Sequence, residues 1–437
     1  MQSLLSLLKY DLNKNERKLV ILSSLGGMFE LYDFTIYGLF SVYFAGQFFP
    51  NANELISVIS SFVVFVMGYI ARPLGGIIAG HYGDLYGRKK IVVITLALMG
   101  TVSIGIGVLP TYGSIGTAAP IILLVFRLVQ GLTMGGQLGS LIVFASESIP
   151  HKRGYAIGGA LAGTGAGMLL GALVNLVLLS ILTPEQMRAW GWRIPFIIGG
   201  FIVIISYLIR EKLHEIIVEL ATKQEERVKI PFSYVLRHHW KEVIMGICVT
   251  TPMATIGMLT MIFMPTYLKQ IMHIDMSVAK HPLWIAALLS VLASLLIGAL
   301  ANRYHPVKVT IKCFFMLLFI IPLGYYIISL SQTVGLLTLG LCLVTMINGF
   351  FVVLSCLLIS YLFPQKVRVT GLSLAFNLGM VIFSGLTPIV LSYIILKTGQ
   401  VVLTPIIYIW IAGAIGVIGS LWMKKFVDAG FFGPSNL

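Results

Sequence analysis

The chain is 437 residues long, 58% hydrophobic and only 11% charged, with 30 lysines and arginines against 16 acids for a formal net charge of +14. Ordinary soluble domains are about 45–50% apolar and about 25% charged, so the composition excludes a water-soluble enzyme or binding module and places the chain in lipid. The basic residues are spread over short loops rather than gathered in one stripe, so no nucleic-acid partner is expected.

Residues 1–18 read as a cytoplasmic segment. They lack a basic start and a small-residue cleavage pattern, so no signal peptide is expected, and Leu4, Leu5, Leu7 and Leu8 either wet one face of a short interfacial helix or belong to a tail. From residue 19 onward, apolar stretches of about 20 residues recur, each long enough to cross a hydrocarbon core of roughly 30 Å as a helix. Twelve are counted, at 19–49, 54–81, 91–109, 119–147, 153–182, 194–210, 242–269, 282–301, 309–330, 335–362, 367–397 and 401–423. The fold class expected is therefore an all-α membrane protein of 12 transmembrane helices in two six-helix bundles, 19–210 and 242–423. They are joined by a linker at 211–241 and followed by a tail at 424–437.

Ionisable side chains inside a span are costly, so each is a functional candidate. Span one holds Glu30 and Asp33 in GGMFELYDFTIYG, three residues apart and on one helical face. Span two holds Arg72 beside Pro73, readable as an anion ligand for a carboxylated solute or as a residue snorkelling to the membrane surface. Next comes the loop GHYGDLYGRKK, Gly80 to Lys90, with one acid and three bases among glycines. Span four holds Arg127. If Arg127 reaches Asp33, the carboxylate stays charged while paired and takes a proton once the pair separates, coupling protonation to helix motion. A permanent structural ion pair is the alternative.

Span five repeats glycine at Gly159, Gly163, Gly167 and Gly171, a flat stripe for close helix approach that suits either a sliding interface or a static seam. The linker segment HEIIVELATKQEER has apolar residues at helical spacing and reads as a surface helix. Prolines within spans, Pro73, Pro252, Pro265, Pro322 and Pro388, are expected to bend helices. Spans seven to twelve contain no deep charge and offer neutral polar groups instead, among them Asn348 and Asn377. Cys248, Cys313, Cys342 and Cys356 fall in apolar spans without paired or metal-like spacing, so no disulfide, metal or cofactor is expected.

With an even number of spans both termini share a side. That side holds 23 of the 30 bases, the opposite side five, and Arg72 and Arg127 lie within spans. The positive-inside rule then makes both termini cytoplasmic. A weak internal repeat at half the chain length lays AGHYGDLYGRKK from Ala79 over IGALANRYHPVK from Ile297, and SESIPHKRG from Ser146 over SYLFPQKVRVTG from Ser360. Duplication of a six-span half explains both matches.

Taken together, GDLYGRKK (Gly83 to Lys90), RLVQG (Arg127 to Gly131), SESIPHKRG (Ser146 to Gly154) and FPQKVRVTGLSLAFN (Phe363 to Asn377) resemble the major facilitator superfamily, in order and over nearly the whole chain. ELYDFTIYG with RPLGG resembles its metabolite:proton symporter branch, which carries organic acids and zwitterions such as proline and betaine. The resemblance implies that Asp33 stands where proton-linked sugar porters have their proton-binding acid, with Arg127 as its helix-four partner and Glu30 as a tuning neighbour. It also implies a cytoplasmic gate made by Gly83, Asp84, Arg88, Glu147, Arg153 and Arg368, with Asp84 facing the electropositive start of span eleven near Arg368 and Arg88 meeting Glu147. In the second copy Asn302 replaces the acid and Tyr361 replaces Glu147, so its latch should be weaker.

The reading that results is a symporter drawing a small polar metabolite inward with protons by alternating access. Tyr32, Tyr37, Arg72, Gln137, Asn348 and Asn377 are candidate solute contacts; aromatic and amide groups in helices also serve packing. A proton-independent facilitator or a proton-coupled exporter of the same fold are alternatives, and a membrane-embedded enzyme or receptor a remote one. The expected setting is a bacterial inner membrane, multi-pass, with the protein monomeric in lipid and its partners limited to solute and protons.

Overall fold

The computed structural model describes residues 14–86, 88–202, 231–331, 333–364 and 367–428. The N-terminal leucines and the HEIIVELATKQEER segment lie outside these residues. All regular structure among the described residues is helical. Physics leaves little choice: without water, a spanning backbone must satisfy every N–H and C=O internally.

The first half runs as α1 (Lys14–Phe48), α2 (Glu54–Tyr86), α3 (Arg88–Val108), α4 (Ala118–Met134), α5 (Gln137–Ser148), α6 (Arg153–Ile181) and the apolar α7 (Arg193–Ile202). After the short α8 (Pro231–His238) the second half follows as α9 (Trp240–Gly257), α10 (Met276–Arg303), α11 (Pro306–Ser329), α12 (Val334–Leu362), α13 (Arg368–Gly379), α14 (Thr387–Thr398) and α15 (Leu403–Asp428). Eight of the described helical stretches are long and apolar enough to cross a membrane, and three more are shorter apolar helices.

Three of the expected spans are interrupted. The stretch 119–147 breaks at Gly135–Gly136 between α4 and α5, where Gly135 lies against the backbone of Arg72 and Gly76 in α2; a Cβ there would collide with the Arg72 carbonyl. The stretch 242–269 ends in π-helical turns at Met258–Ile262 and Tyr267–Ile271 on either side of Pro265, and the stretch 367–397 is broken by another at Met380–Gly385, between α13 and α14 and before Pro388. Proline withholds an amide hydrogen, and the wider turn takes up the mismatch. Pro73, Pro252 and Pro322 lie within continuous helices.

Between helices in lipid, apolar side chains gain little by leaving a solvent as apolar as themselves, so close packing of small residues decides the seams. The glycine stripe of α6 faces α1 of its own half: a Cβ on Gly163 or Gly167 would run into Ser24 or the Met28 backbone, and Ser24 Oγ donates to the Gly159 carbonyl. The stripe thus packs on α1 and not on the opposite half. The close approach between halves is made one face over, by Gly154 and Gly158 of α6 against Gly298 of α10; a Cβ on Gly158 would sit 2.9 Å from the Gly298 Cα.

Candidate functional site

Asp33 lies midway along α1, 1% exposed. One carboxylate oxygen accepts a hydrogen bond from Ser103 Oγ of α3, and the other accepts one from Gln130 Nε2 of α4 at 2.8 Å. Gln130 Oε1 in turn accepts from Arg127 Nη1 at 2.5 Å. The acid and the guanidinium expected to touch are thus joined through an amide: Gln130 lies one helical turn past Arg127, on the same face, and presents opposite ends to the two charges. Gln130 stands inside RLVQG, yet nothing in that string marks its amide as the bridge. Ser103 sits in an apolar run where a lone serine gives no signal.

Arg127 is fully buried, its guanidinium carbon 3.7 Å from the Tyr37 ring centroid and near the Phe34 and Phe65 rings. Its Nε and Nη2 have no hydrogen-bond partner. Tyr37 donates its hydroxyl to the Ser61 carbonyl, and Tyr32 donates to the Pro195 carbonyl at 3.0 Å, so both expected solute contacts hold intramolecular partners within the first half. Arg72 does not snorkel. It is 6% exposed, its guanidinium 4.0 Å from the Phe34 ring centroid and 4.3 Å from that of Tyr69. The side chains of Glu30 and Gln137 lie outside the described residues.

Across the seam the second half supplies neutral groups. Asn348 Nδ2 donates to Ser290 Oγ, while its Oδ1 has no partner. Asn377 donates to the Gly135 carbonyl at 2.8 Å, tying α13 to the break between α4 and α5. Ser384 donates to the Tyr69 hydroxyl, and Phe62 meets Phe263 edge-on at 5.7 Å. A cavity of about 20 Å³ between the halves, lined by Leu39, Met168, Asn175, Thr260 and Leu283 among others, has room for about one water.

The halves also touch at both ends. At one end Arg368 Nη1 of α13 meets Glu147 Oε1 of α5 at 2.7 Å. The expected neighbour of Arg368 was Asp84, and that of Glu147 was Arg88; the side chains of Gly83, Asp84 and Arg88 lie outside the described residues, and among the described ones Glu147 and Arg368 meet each other. The physical reason is that Arg368 opens α13, where a cation faces the positive helix end, and the carboxylate from the other half relieves it. Beside it, Arg153 of α6 lies 5.0 Å over the Tyr361 ring of α12. At the opposite end Glu54, which opens α2, accepts from Arg188 at 3.3 Å and from Gln270 of the second half at 3.0 Å, and Lys280 donates to Ser180 Oγ at 3.1 Å. Motif reading missed this second set because its members stand singly at or near helix ends, outside any recurring motif.

What the arrangement can do chemically is hold or release a proton at one buried carboxylate and move two helix bundles against each other. No group of three or more metal-binding side chains occurs among the described residues.

Comparison with known proteins agrees with this geometry. Residues 23–386 match the family profile of the Major Facilitator Superfamily. A putative proline/betaine transporter of Staphylococcus aureus (strain COL) is 30% identical over 413 residues, covering 93% of this chain and 87% of that protein. The glycine betaine/proline/ectoine/pipecolic acid transporter OusA of Dickeya dadantii is 30% identical over 428 residues, covering 94% and 83%. Among solved structures, the proton:xylose symporter XylE bound to 6-bromo-6-deoxy-D-glucose superposes with a TM-score of 0.71 over 94% of this chain and 96% of that one at 16% identity, which speaks for the fold. The chain therefore belongs to the major facilitator superfamily and is a membrane transporter, not an enzyme.

Proposed function

We propose that the chain is a secondary active symporter that imports a small carboxylated metabolite of the proline or betaine type together with protons by alternating access. The observation that carries the reading is the buried chain Ser103–Asp33–Gln130–Arg127. An ionised Asp33 accepts from both Ser103 and Gln130. When the proton goes to the oxygen facing Gln130, that oxygen becomes a donor and needs an acceptor. Gln130 can provide one only by turning its amide, and that surrenders the bond to Arg127. Proton arrival at α1 is thereby transmitted to α4, with Asp33 the proton site, Arg127 its charge partner, Glu30 a tuning neighbour and Gln130 the transmitter.

The domain scheme of 19–210 and 242–423 around a linker at 211–241 belongs to the same reading. Twelve spans follow if α1, α3, the α4–α5 pair and the stretch beginning with α7 are counted with the eight long apolar stretches. The loop charges then put both termini in the cytoplasm of a bacterial inner membrane, with the protein monomeric in lipid. The Glu147–Arg368 contact is the core of a cytoplasmic latch to which Gly83, Asp84, Arg88 and Arg153 belong, and Glu54 with Gln270 forms the outer one. Alternating access opens one latch while the other holds. The names of the S. aureus and D. dadantii relatives support the substrate class, and the buried, hydrogen-bonded acid inside the first half supports coupling over facilitated diffusion.

The test is uptake of labelled proline and glycine betaine into proteoliposomes with and without an imposed inward proton gradient. Wild-type protein accumulates solute only with the gradient, and Asp33→Asn exchanges solute across the membrane but no longer accumulates it. Gradient-independent uptake by the wild type would establish a facilitator instead, and solute-driven proton movement outward an exporter.

A further inference from the structure

Asp33 is 1% exposed, so a proton has to reach it through protein. Hydroxyls in these helices commonly bond back to a carbonyl one turn earlier, as Ser60 does to Ile56, Thr164 to Ala160 and Thr250 to Gly246. Ser57 and Ser61 of α2 do not. Ser61 Oγ donates across to the Tyr37 hydroxyl of α1 at 3.1 Å, and Ser57, only 2% exposed, has an Oγ with no hydrogen-bond partner. A buried hydroxyl left unpaired is uncommon enough to need a reason. Ser57 stands on the same face of α2 as Ser61, one turn nearer the Glu54 end.

These groups fall in one line. Tyr37 lies one turn past Asp33 on the same face of α1, toward the Glu54 end, which is the outer end in the symporter reading. From that end inward the order is Ser57, Ser61, Tyr37, Asp33: four residues along α2, a hydrogen bond across, then four residues back along α1. Four residues are about 6 Å of helix, a gap that one water closes with two hydrogen bonds of about 2.8 Å each. Each Asp33 oxygen accepts one hydrogen bond and keeps a second lone-pair position. The Tyr37 ring also carries the Arg127 guanidinium at 3.7 Å, so the inner end of the line runs past the cation that Asp33 balances.

We propose that the hydroxyls of Ser57, Ser61 and Tyr37, bridged by water from the outer solution, are the route by which the transported proton reaches Asp33. Each hydroxyl accepts a proton on its outer side and passes its own inward, so as many O–H bonds form as break. The net change is one proton lost by the outer solution and one gained by the Asp33 carboxylate. The Ser61-to-Tyr37 hydrogen bond already points inward. Arg127 limits the traffic to one proton: while Asp33 is ionised the two charges cancel, and once it is protonated the guanidinium stands alone and repels a second. The inference rests on Asp33 as the proton site and adds the path by which that site is loaded.

Full-length protein in proteoliposomes tests this by two rates. One is proline uptake driven by an interior-negative potential at alkaline pH, where proton arrival limits the rate; the other is proline counterflow, which needs no net proton transfer. Ser61→Ala slows driven uptake by about 10-fold, less than the roughly 100-fold of a lost acid–base group because water partly replaces the hydroxyl. It leaves counterflow at the wild-type rate and makes driven uptake more sensitive to heavy water. Ser57→Ala does the same to a smaller degree. It decides the matter if the Ser61 variant does not elute as a single folded species, since a hydroxyl without a hydrogen bond holds nothing together. Ser60→Ala, whose hydroxyl bonds back to its own helix, changes neither rate. Wild-type driven uptake in both the Ser57 and Ser61 variants, equal slowing of uptake and counterflow, or the same slowing in Ser60→Ala would overturn the route and leave Asp33 as the proton site. A wild type that does not accumulate proline under the potential would overturn the symporter reading and the route with it.

Discussion

The two halves of this protein share a fold and divide the chemistry unequally, and the division is sharpest where the internal repeat lays one half over the other. Arg368 of the second half closes on Glu147 of the first; the reciprocal pair sets Arg153 of the first half against Tyr361 of the second, the residue that stands over Glu147 in the repeat. One closure is an ion pair and the other a cation on a ring face. Deeper in, the first half holds Asp33, Arg72 and Arg127, while the second half buries Asn348 and places Asn377 and Ser384 at the seam. Duplication supplied a symmetric frame; a rocking mechanism needs charge that changes on only one side of it, because a proton binding both halves alike would bias neither orientation.

The largest effect on this asymmetry should come from abolishing it. Asp33→Asn retains shape and hydrogen-bonding capacity but cannot gain or lose a proton, so concentrative uptake falls to the equilibrium level while counterflow continues, measured in the same vesicles. Gln130→Leu removes the bridge and leaves both Arg127 and Asp33 short of a partner, at a cost of about 1–3 kcal/mol. A lowered Tm and a reduced number of protons moved per solute check it, and a normal ratio would show that the amide does not transmit.

At the latch the expected magnitudes are smaller. The Glu147 side chain is 35% exposed, which limits the pair to about 1 kcal/mol or less. Glu147→Gln should increase labelling, from the Glu147 face, of a cysteine introduced beside the seam by no more than about 5-fold, and Tyr361→Glu, which makes the two closures alike, should decrease it. Equal labelling in all three proteins would mean that glycine contacts alone hold the halves together. The smallest effect tests whether an acid matters for being in the second half or for being buried. Asp275 is such an acid, exposed at the start of α10, where the Ser277 amide hydrogen-bonds its carboxylate and holds it below the ordinary range. Its stabilising contribution is therefore present at neutral pH and fades as pH falls through that lowered value. Asp275→Ala should lower stability by about 1 kcal/mol, seen in Tm at neutral pH and lost in acid, with coupling unaltered.

Some of the site was readable before any coordinates because lipid makes charge conspicuous. Asp33, Arg72 and Arg127 stand out in apolar runs, and Glu147 and Arg368 stand at helix ends inside recurring motifs. Gln130, Ser103 and Gln270 were not readable, since neutral polar residues are tolerated in spans for packing and carry no address. The partner of the α6 glycine stripe was likewise not readable, since the spacing of glycines does not say that α1 lies along it.

The sequence by itself determined that the chain is helical and membrane-embedded, because apolar length and the ban on unpaired backbone groups in hydrocarbon leave no other outcome. It also determined which charges had to be explained. The tertiary structure decided how they are explained: that an amide joins Asp33 to Arg127, that Glu147 takes Arg368, and that Arg72 is buried on ring faces and does not snorkel. Those choices depend on which faces of helices distant in sequence come within about 3 Å of one another, the reach of a hydrogen bond, and helical periodicity assigns a residue to a face without saying what that face will meet.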